Sequence, residues 1–477
     1  MTTALLYAAG VVIFLVALFA SIALHELGHF ATARRFGCRI TEFMIGFGPV
    51  LFRVQRGETS YGFRLIPLGG YVKIIGMFPP GTEDEHRIAA GEIVEKREEI
   101  TAAAEQATEE QPLVLRSSST GLFPQFVART RAFEFEQVLP SDRDRLFYKL
   151  PAWKKVTVMA AGPVVNLLIA FVCFQAVFGI HGTNVTEPVP GAVIAEVSQC
   201  VIPEQEARTE CTSSDPASPA ALAGLEPGDQ VVSFNGAPVT SWEQLSTYIQ
   251  GNGAGAVQLT VVRDGAEVEL EPTVTATMTR NITPLTDPSP SAEPVYEEVG
   301  FLGASPVMET TVVRHGPIFT LTQMADMSAN ALSMIVQLPA KVWNVAMAVA
   351  GFEERSPEGP MSVIGGSRVA GEVASSDAPF LDTGSKAAML GTVIGSFNLF
   401  IGLFNLIPLM PFDGGHIAGS VWEGLRRRIA ALRRQPDPGH VNVAAQQPIA
   451  IVLGLAMVVM GFVLMLGDLL VPLSSGF

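Results

Sequence analysis

The chain has 477 residues, 48% of them hydrophobic and only 16% charged, with a formal net charge of −15. Soluble domains usually carry about a quarter charged residues, so the deficit points to a membrane. The acidic balance and the lack of a basic stripe argue against nucleic acid as a partner, and the length calls for two or more structural units.

Taken in chain order, the first predicted element is an apolar run at Ala4–Leu24, placed in a unit at 1–33. It lacks a basic leader and a small-residue cleavage site, so it reads as a retained transmembrane helix rather than a signal peptide. Segment 34–80 opens with Arg34, Arg35 and Arg39. It also contains "TSYGFRLIPLGGYVKIIG", in which Tyr61–Ile66 and Tyr71–Ile75 read as two short strands around Gly69-Gly70. Residues 81–150, rich in Glu and Ala, read as a partly helical, partly disordered insertion. A second span is expected within 151–181, from about Val156 to Ile180.

Residues 186–280 change character. The Pro227-Gly228-Asp229 turn precedes an alternating strand at Val231–Phe234, and Asn235-Gly236 and Asp264-Gly265 mark hairpins around a helix at Trp242–Gln250. Cys200 and Cys211 either pair or are unrelated thiols. Segment 281–384 begins with a Pro- and Ser-containing linker and continues as a helical stretch, Met324–Ala350. Gln337, Pro339, Lys341 and Asn344 in that stretch suit an amphipathic surface helix better than a span. A third span falls in 385–425, a basic loop in 426–447, and a last span in 448–472. Positive residues mark cytoplasmic loops. Both basic loops are satisfied by four spans, which place residues from about 181 to 385 outside.

The chemistry begins with "HELGH", His25–His29. Two histidines four apart share one helix face and can share a metal ion, while Glu26 can take a proton from water at that metal. Ionisable groups at membrane depth are costly and usually functional. A catalytic zinc site wants a third ligand, and "FNLIPLMPFDGGH" offers Asp413. There Pro408 and Pro411 interrupt the helix and Gly414-Gly415 are expected to let the chain turn sharply. Four spans make the first and third helices run in the same direction, which lets His25, His29 and Asp413 meet at one membrane face.

HELGH in a first membrane helix, a module between the second and third spans and Asn-x-x-Pro-x-x-Pro-x-Asp-Gly-Gly together resemble the site-2 proteases. The likeness is to the regulator of sigma-E protease group and its single-PDZ actinobacterial members. "GFGP", "PLGGYVKIIGM", "AGPVVN" and "GPMSVIGG" agree, and Phe412 departs from the Leu many relatives carry there. The implied fold is a polytopic α-helical membrane protein with four transmembrane helices, a membrane-re-entrant β-hairpin and an extracytoplasmic β-rich PDZ domain. An ordinary soluble hairpin is the alternative for 61–75. The implied cofactor is Zn2+ on His25, His29 and Asp413, with Glu26 as general base. Asn405 and Asn166 would contact substrate, Asn166 having a helix-packing hydrogen bond as its other reading. An unpaired strand edge at Gly69, Gly70 and Tyr71 would supply hydrogen bonds to an opened substrate. The implied substrate is a single-pass transmembrane protein, an anti-sigma factor after a first outer cut, in regulated intramembrane proteolysis at the inner membrane. The lipid bilayer and a peptide ligand of the PDZ domain would be further partners. Two other readings stand beside this one: an HExxH membrane protease with a Glu third ligand, and a non-enzymatic PDZ scaffold.

Overall fold

The computed structural model describes residues 2–79, 138–142, 144–202, 211–212, 215–281, 296–356, 359–378 and 381–472. Most of the expected insertion at 81–150 and of the expected linker at 281–296 lies outside them. Two compact units emerge: Thr183–Val313, and a helical unit formed by the chain before and after it.

In the helical unit α1 spans Thr2–Arg35 and α2 spans Ala152–Ala176. Beyond the module follow α5 (Pro317–Val349), α6 (Val363–Ser375), α7 (Thr383–Asn405), α8 (Asp413–Leu432) and α9 (Gln447–Leu470); the module holds α3 and α4. The expected third span is thus two helices, parted by the two prolines. Small residues fix the packing. Gly402 rests against Pro163 and Leu167 while Gly395 rests against Phe174, so α7 and α2 are antiparallel. Phe14 meets Phe397 edge-on at 5.0 Å and Gly28 meets the Ala161 carbonyl, so α1 runs alongside α7 in the same direction.

Among the described residues, five helices are long and apolar enough to cross a membrane, one more than the four expected spans. The extra one is α5, which starts at Pro317 rather than Met324. Its Thr320 hydroxyl donates to Gln175 near the end of α2, at 2.8 Å, and its Val345 packs on Gly467 near the end of α9. The start of α9 packs through Ala450 on Met410, beyond the end of α7. α5 thus lies against the far end of α2 through its first turns and against the far end of α9 through its last.

Between α1 and α2 lie β1 (Ile40–Arg56) and β2 (Thr59–Ile74). The two strands expected around Gly69-Gly70 do not pair with each other. Phe43 faces both Val72 and Tyr61, and Gln55 faces Ser60, so each long strand folds into two and four segments form the sheet. Among the described residues, segment 70–74 pairs on one side only, with 40–45. Phe47, Leu51, Phe52, Phe63 and Leu65 stand exposed on this sheet. Near the end of the expected insertion, Phe147 is buried with Phe30 and Val158, and its N–H donates to the Ile75 carbonyl at 3.0 Å.

The module is a sheet of β4 (Ala192–Val197), β5 (Gln230–Phe234), β6 (Leu259–Arg263), β7 (Ala266–Glu269) and β10 (Ala304–Pro306), in the order β10-β4-β5-β6-β7. Strands also pair outside it: β3 (Thr183–Pro188) with β11 (Met308–Val313), and β8 (Ala276–Asn281) with β9 (Tyr296–Phe301). Helices α3 (Pro219–Leu222) and α4 (Trp242–Asn252) cover a core of Ile194, Val231, Leu245, Leu259 and Leu302. Both expected hairpin turns form, with Asn235-Gly236 and Asp264-Gly265 at positive φ. The unit runs past the expected limit of 280, because β10 returns to close the sheet beside β4. Cys200 and Cys211 are disulfide-bonded.

Candidate metal centre and active site

Helical spacing puts His25 and His29 on one face of α1, with their Nε2 atoms 3.2 Å apart. The break after α7 delivers Asp413, first residue of α8, to the same point. Its Oδ2 lies 3.4 Å from His25 Nε2 and 3.3 Å from His29 Nε2. A tetrahedral ion with bonds of about 2.0–2.1 Å needs donor atoms roughly 3.3–3.4 Å apart. The three donors form one face of that tetrahedron, so this donor set fits zinc, and among the described residues it is the group of this kind. His29 Nδ1 donates to the Val158 carbonyl at 2.8 Å, which fixes the ring and leaves Nε2 free to ligate.

Two glycines allow this crowding. A Cβ at Gly162 of α2 would lie 2.3 Å from His29 Nε2 and 2.7 Å from His25 Nε2. A Cβ at Gly70 would lie 2.9 Å from Glu26 Cγ, so the one-sided strand segment presses its backbone on that carboxylate. Gly414 and Gly415 do not make the expected sharp turn. They are helical, and Gly414 is needed because its Cβ would lie 2.1 Å from the Ile407 carbonyl.

A cavity of about 410 Å³ joins the residues. His25, Glu26, His29, Asp413, Asn166, Asn405, Gly69, Gly70 and Tyr71 all line it, so every site residue expected from sequence reaches one space. Asn166 is buried, and its Oδ1 has no partner among the described residues, so no helix-packing bond occupies that oxygen. The Tyr71 hydroxyl is taken, donating to Glu42 and accepting from Arg64 at 2.6 Å. Sequence reasoning missed Gly162. Its signal was present in "AGPVVN", four residues before Asn166, but a glycine in an apolar helix reads first as helix packing.

Long apolar helices carrying an HExxH centre with an aspartate brought from a distant helix define a membrane metalloprotease. The chain matches the peptidase M50 family over residues 13–444 and belongs to that family, the site-2 proteases. It is 30% identical over 469 residues to the zinc metalloprotease Rip1 of Mycobacterium tuberculosis, covering 97% of this chain and 96% of that one. The Rip1 of Mycolicibacterium smegmatis is 28% identical over 483 residues, 98% and 99% of the two chains. A putative zinc metalloprotease of Mesorhizobium japonicum is 24% identical over 426 residues, 88% and 90% of the two chains. The chain is thus a zinc-dependent metalloendopeptidase and a multi-pass membrane protein.

Proposed function

We propose that this protein cuts a transmembrane segment of a single-pass membrane protein, with His25, His29 and Asp413 holding zinc and Glu26 acting as general base. The observation that carries the reading is the donor triangle opening into a cavity whose wall is a one-sided strand segment, Gly69–Val72. Zinc, when bound, would polarise the scissile carbonyl and acidify the attacking water. Glu26 accepts the proton of that water and passes it to the leaving amine. A helical substrate hides its peptide bonds and must open first. The free edge at Gly69, Gly70 and Tyr71 then offers replacement hydrogen bonds, and Asn166 and Asn405 hold the opened backbone.

In this reading four helices span and α5, whose ends lie against the far ends of α2 and α9, does not. The sheet of β1 and β2, with its exposed Phe47, Leu51, Phe52 and Phe63, dips into the bilayer. The module is a PDZ domain on the outer side, where the Cys200–Cys211 disulfide suits an oxidising compartment. With α5 it gates the site against substrates with bulky outer domains, and an anti-sigma factor already cut outside is the substrate class. The inner membrane houses the protein, with the site near its cytoplasmic face.

Glu26→Gln tests the mechanism. Zinc content should stay stoichiometric while cleavage of a reporter transmembrane segment falls by about 10²–10⁴-fold, and the uncut substrate should be trapped on the variant. Unchanged cleavage would end the proposal. Asp413→Ala should remove zinc; retention of metal and activity would favour a glutamate as third ligand instead.

A further inference from the structure

A second cavity, of about 430 Å³, opens where α1 ends. Its floor is apolar and buried, made by Phe30, Cys38 and Ile40. Burial pushes the Cys38 thiol up to about 11, so the floor carries no charge at neutral pH. The rim is basic: Arg34, Arg56 and Arg145 face a single carboxylate, Glu58, leaving an excess of two positive charges. Arg145 grips Glu58 through both nitrogens, at 2.8 and 2.7 Å. Arg34 lies over the Phe30 ring at 5.8 Å, and neither it nor Arg56 has a carboxylate partner among the described residues.

The surroundings set the depth of this pocket. Arg34 and Arg35 close the last turn of α1, and Trp153 and Lys154 open α2 at the same face. Trp153 is 61% exposed and packs edge-on against Phe36 at 5.5 Å, with Lys154 Nζ 5.3 Å from the Phe36 ring. Exposed tryptophan flanked by basic residues marks the headgroup level of a bilayer. An apolar floor under a rim of guanidiniums in excess over carboxylates complements a ligand that is greasy at one end and anionic at the other. Guanidinium forks suit phosphate oxygens in particular.

We propose that this pocket binds an anionic phospholipid, its phosphate between Arg34 and Arg56 and the first methylenes of an acyl chain on Phe30 and Ile40. Phe30 follows the ligand His29 in α1, so the bound lipid pins the helix that carries the metal.

The test uses the full chain in nanodiscs of equal phosphatidylglycerol and phosphatidylcholine, with native mass spectrometry counting the lipids retained on release. The protein should keep phosphatidylglycerol in preference, and Arg34→Gln with Arg56→Gln should weaken that retention by about thirtyfold. Arg433→Gln with Arg434→Gln removes the same charge from the loop before α9 and should leave retention unchanged. Equal retention by the pocket variant, or equal loss in the loop variant, overturns the site. Displacement by excess inorganic phosphate alone would assign the pocket to a soluble anion and overturn the lipid. Should the double variant unfold, Arg56→Gln at the exposed end of β1 repeats the measurement, with a loss of about fivefold expected and equal retention again refuting the site.

Discussion

In the module Thr183–Val313, Ile194, Val231, Leu245 and Leu259 are buried and, among the described residues, nearly all charged side chains lie outside. In the helical unit Val452, Leu455, Val458 and Phe462 of α9 stand exposed, while His25, His29, Lys155, Glu423 and Asp468 are buried. The same chain follows opposite burial patterns because its two units meet different solvents. Water drives apolar groups inward. Lipid tails give apolar side chains no reason to leave the surface, so close packing and polar contacts hold the helices instead. A dry interior lined by such contacts is where metal ligands and a general base can be held away from bulk water.

That contrast is broken most severely where a helix backbone touches the proposed metal ligands. Gly162→Ala sets a methyl group against both imidazoles, and zinc affinity should drop by at least about 100-fold. Cleavage should fall to background while the module keeps its fold. Gly454→Ala on α9 meets nothing within 4 Å and serves as the control, with metal content unchanged. Metal retained in Gly162→Ala would mean that α2 does not pack so closely on His25 and His29.

The next effect comes from the buried charges themselves. Lys155 Nζ sits 2.9 and 3.0 Å from the two carboxylate oxygens of Glu423 on α8, and His440 Nδ1 lies 3.2 Å from the same carboxylate. Lys155→Met leaves Glu423 without its closest cation, with Arg427 still 3.3 Å away, and should cost up to about 3 kcal/mol in thermal or denaturant unfolding. Burial resists ionisation of Glu423, but the His440 and Lys155 contacts prevail and bring its carboxyl down to about 2. A folded value below the unfolded one, about 4.3, gives a contribution present above that pH and lost as pH falls toward 2. The wild-type protein should lose stability across that window, and the Lys155→Met variant should lose less.

Much of this was legible before any coordinates. HELGH and Asp413 were readable because ionisable residues in apolar runs have few reasons to be there. The Asn235-Gly236 and Asp264-Gly265 turns were readable because their chemistry is local. Three features were not. The sheet at 40–74 folds each strand back through bulges, so its four segments carry no clean alternation. The pairing of β10 with β4 joins residues more than a hundred positions apart, beyond any local signal. The length of α5 was underestimated because its first turns, Pro317 to Gln323, look like the loop before a helix. All three are decided by tertiary pairing, which local propensity does not encode.

The smallest predicted effect tests the contrast from its other side. Leu245 is wholly buried in the module, and Leu245→Ala should destabilise that unit by about 2–5 kcal/mol. Leu455, 64% exposed on α9, loses the same three carbons on Leu455→Ala. Lipid tails close over the smaller side chain and no fixed cavity remains, so unfolding of the helical unit in nanodiscs should shift by no more than about 0.5 kcal/mol. A loss at Leu455 as large as that at Leu245 would mean this face of α9 is packed by protein, such as a second copy of the chain. The helical unit would then have a core that its own residues do not complete.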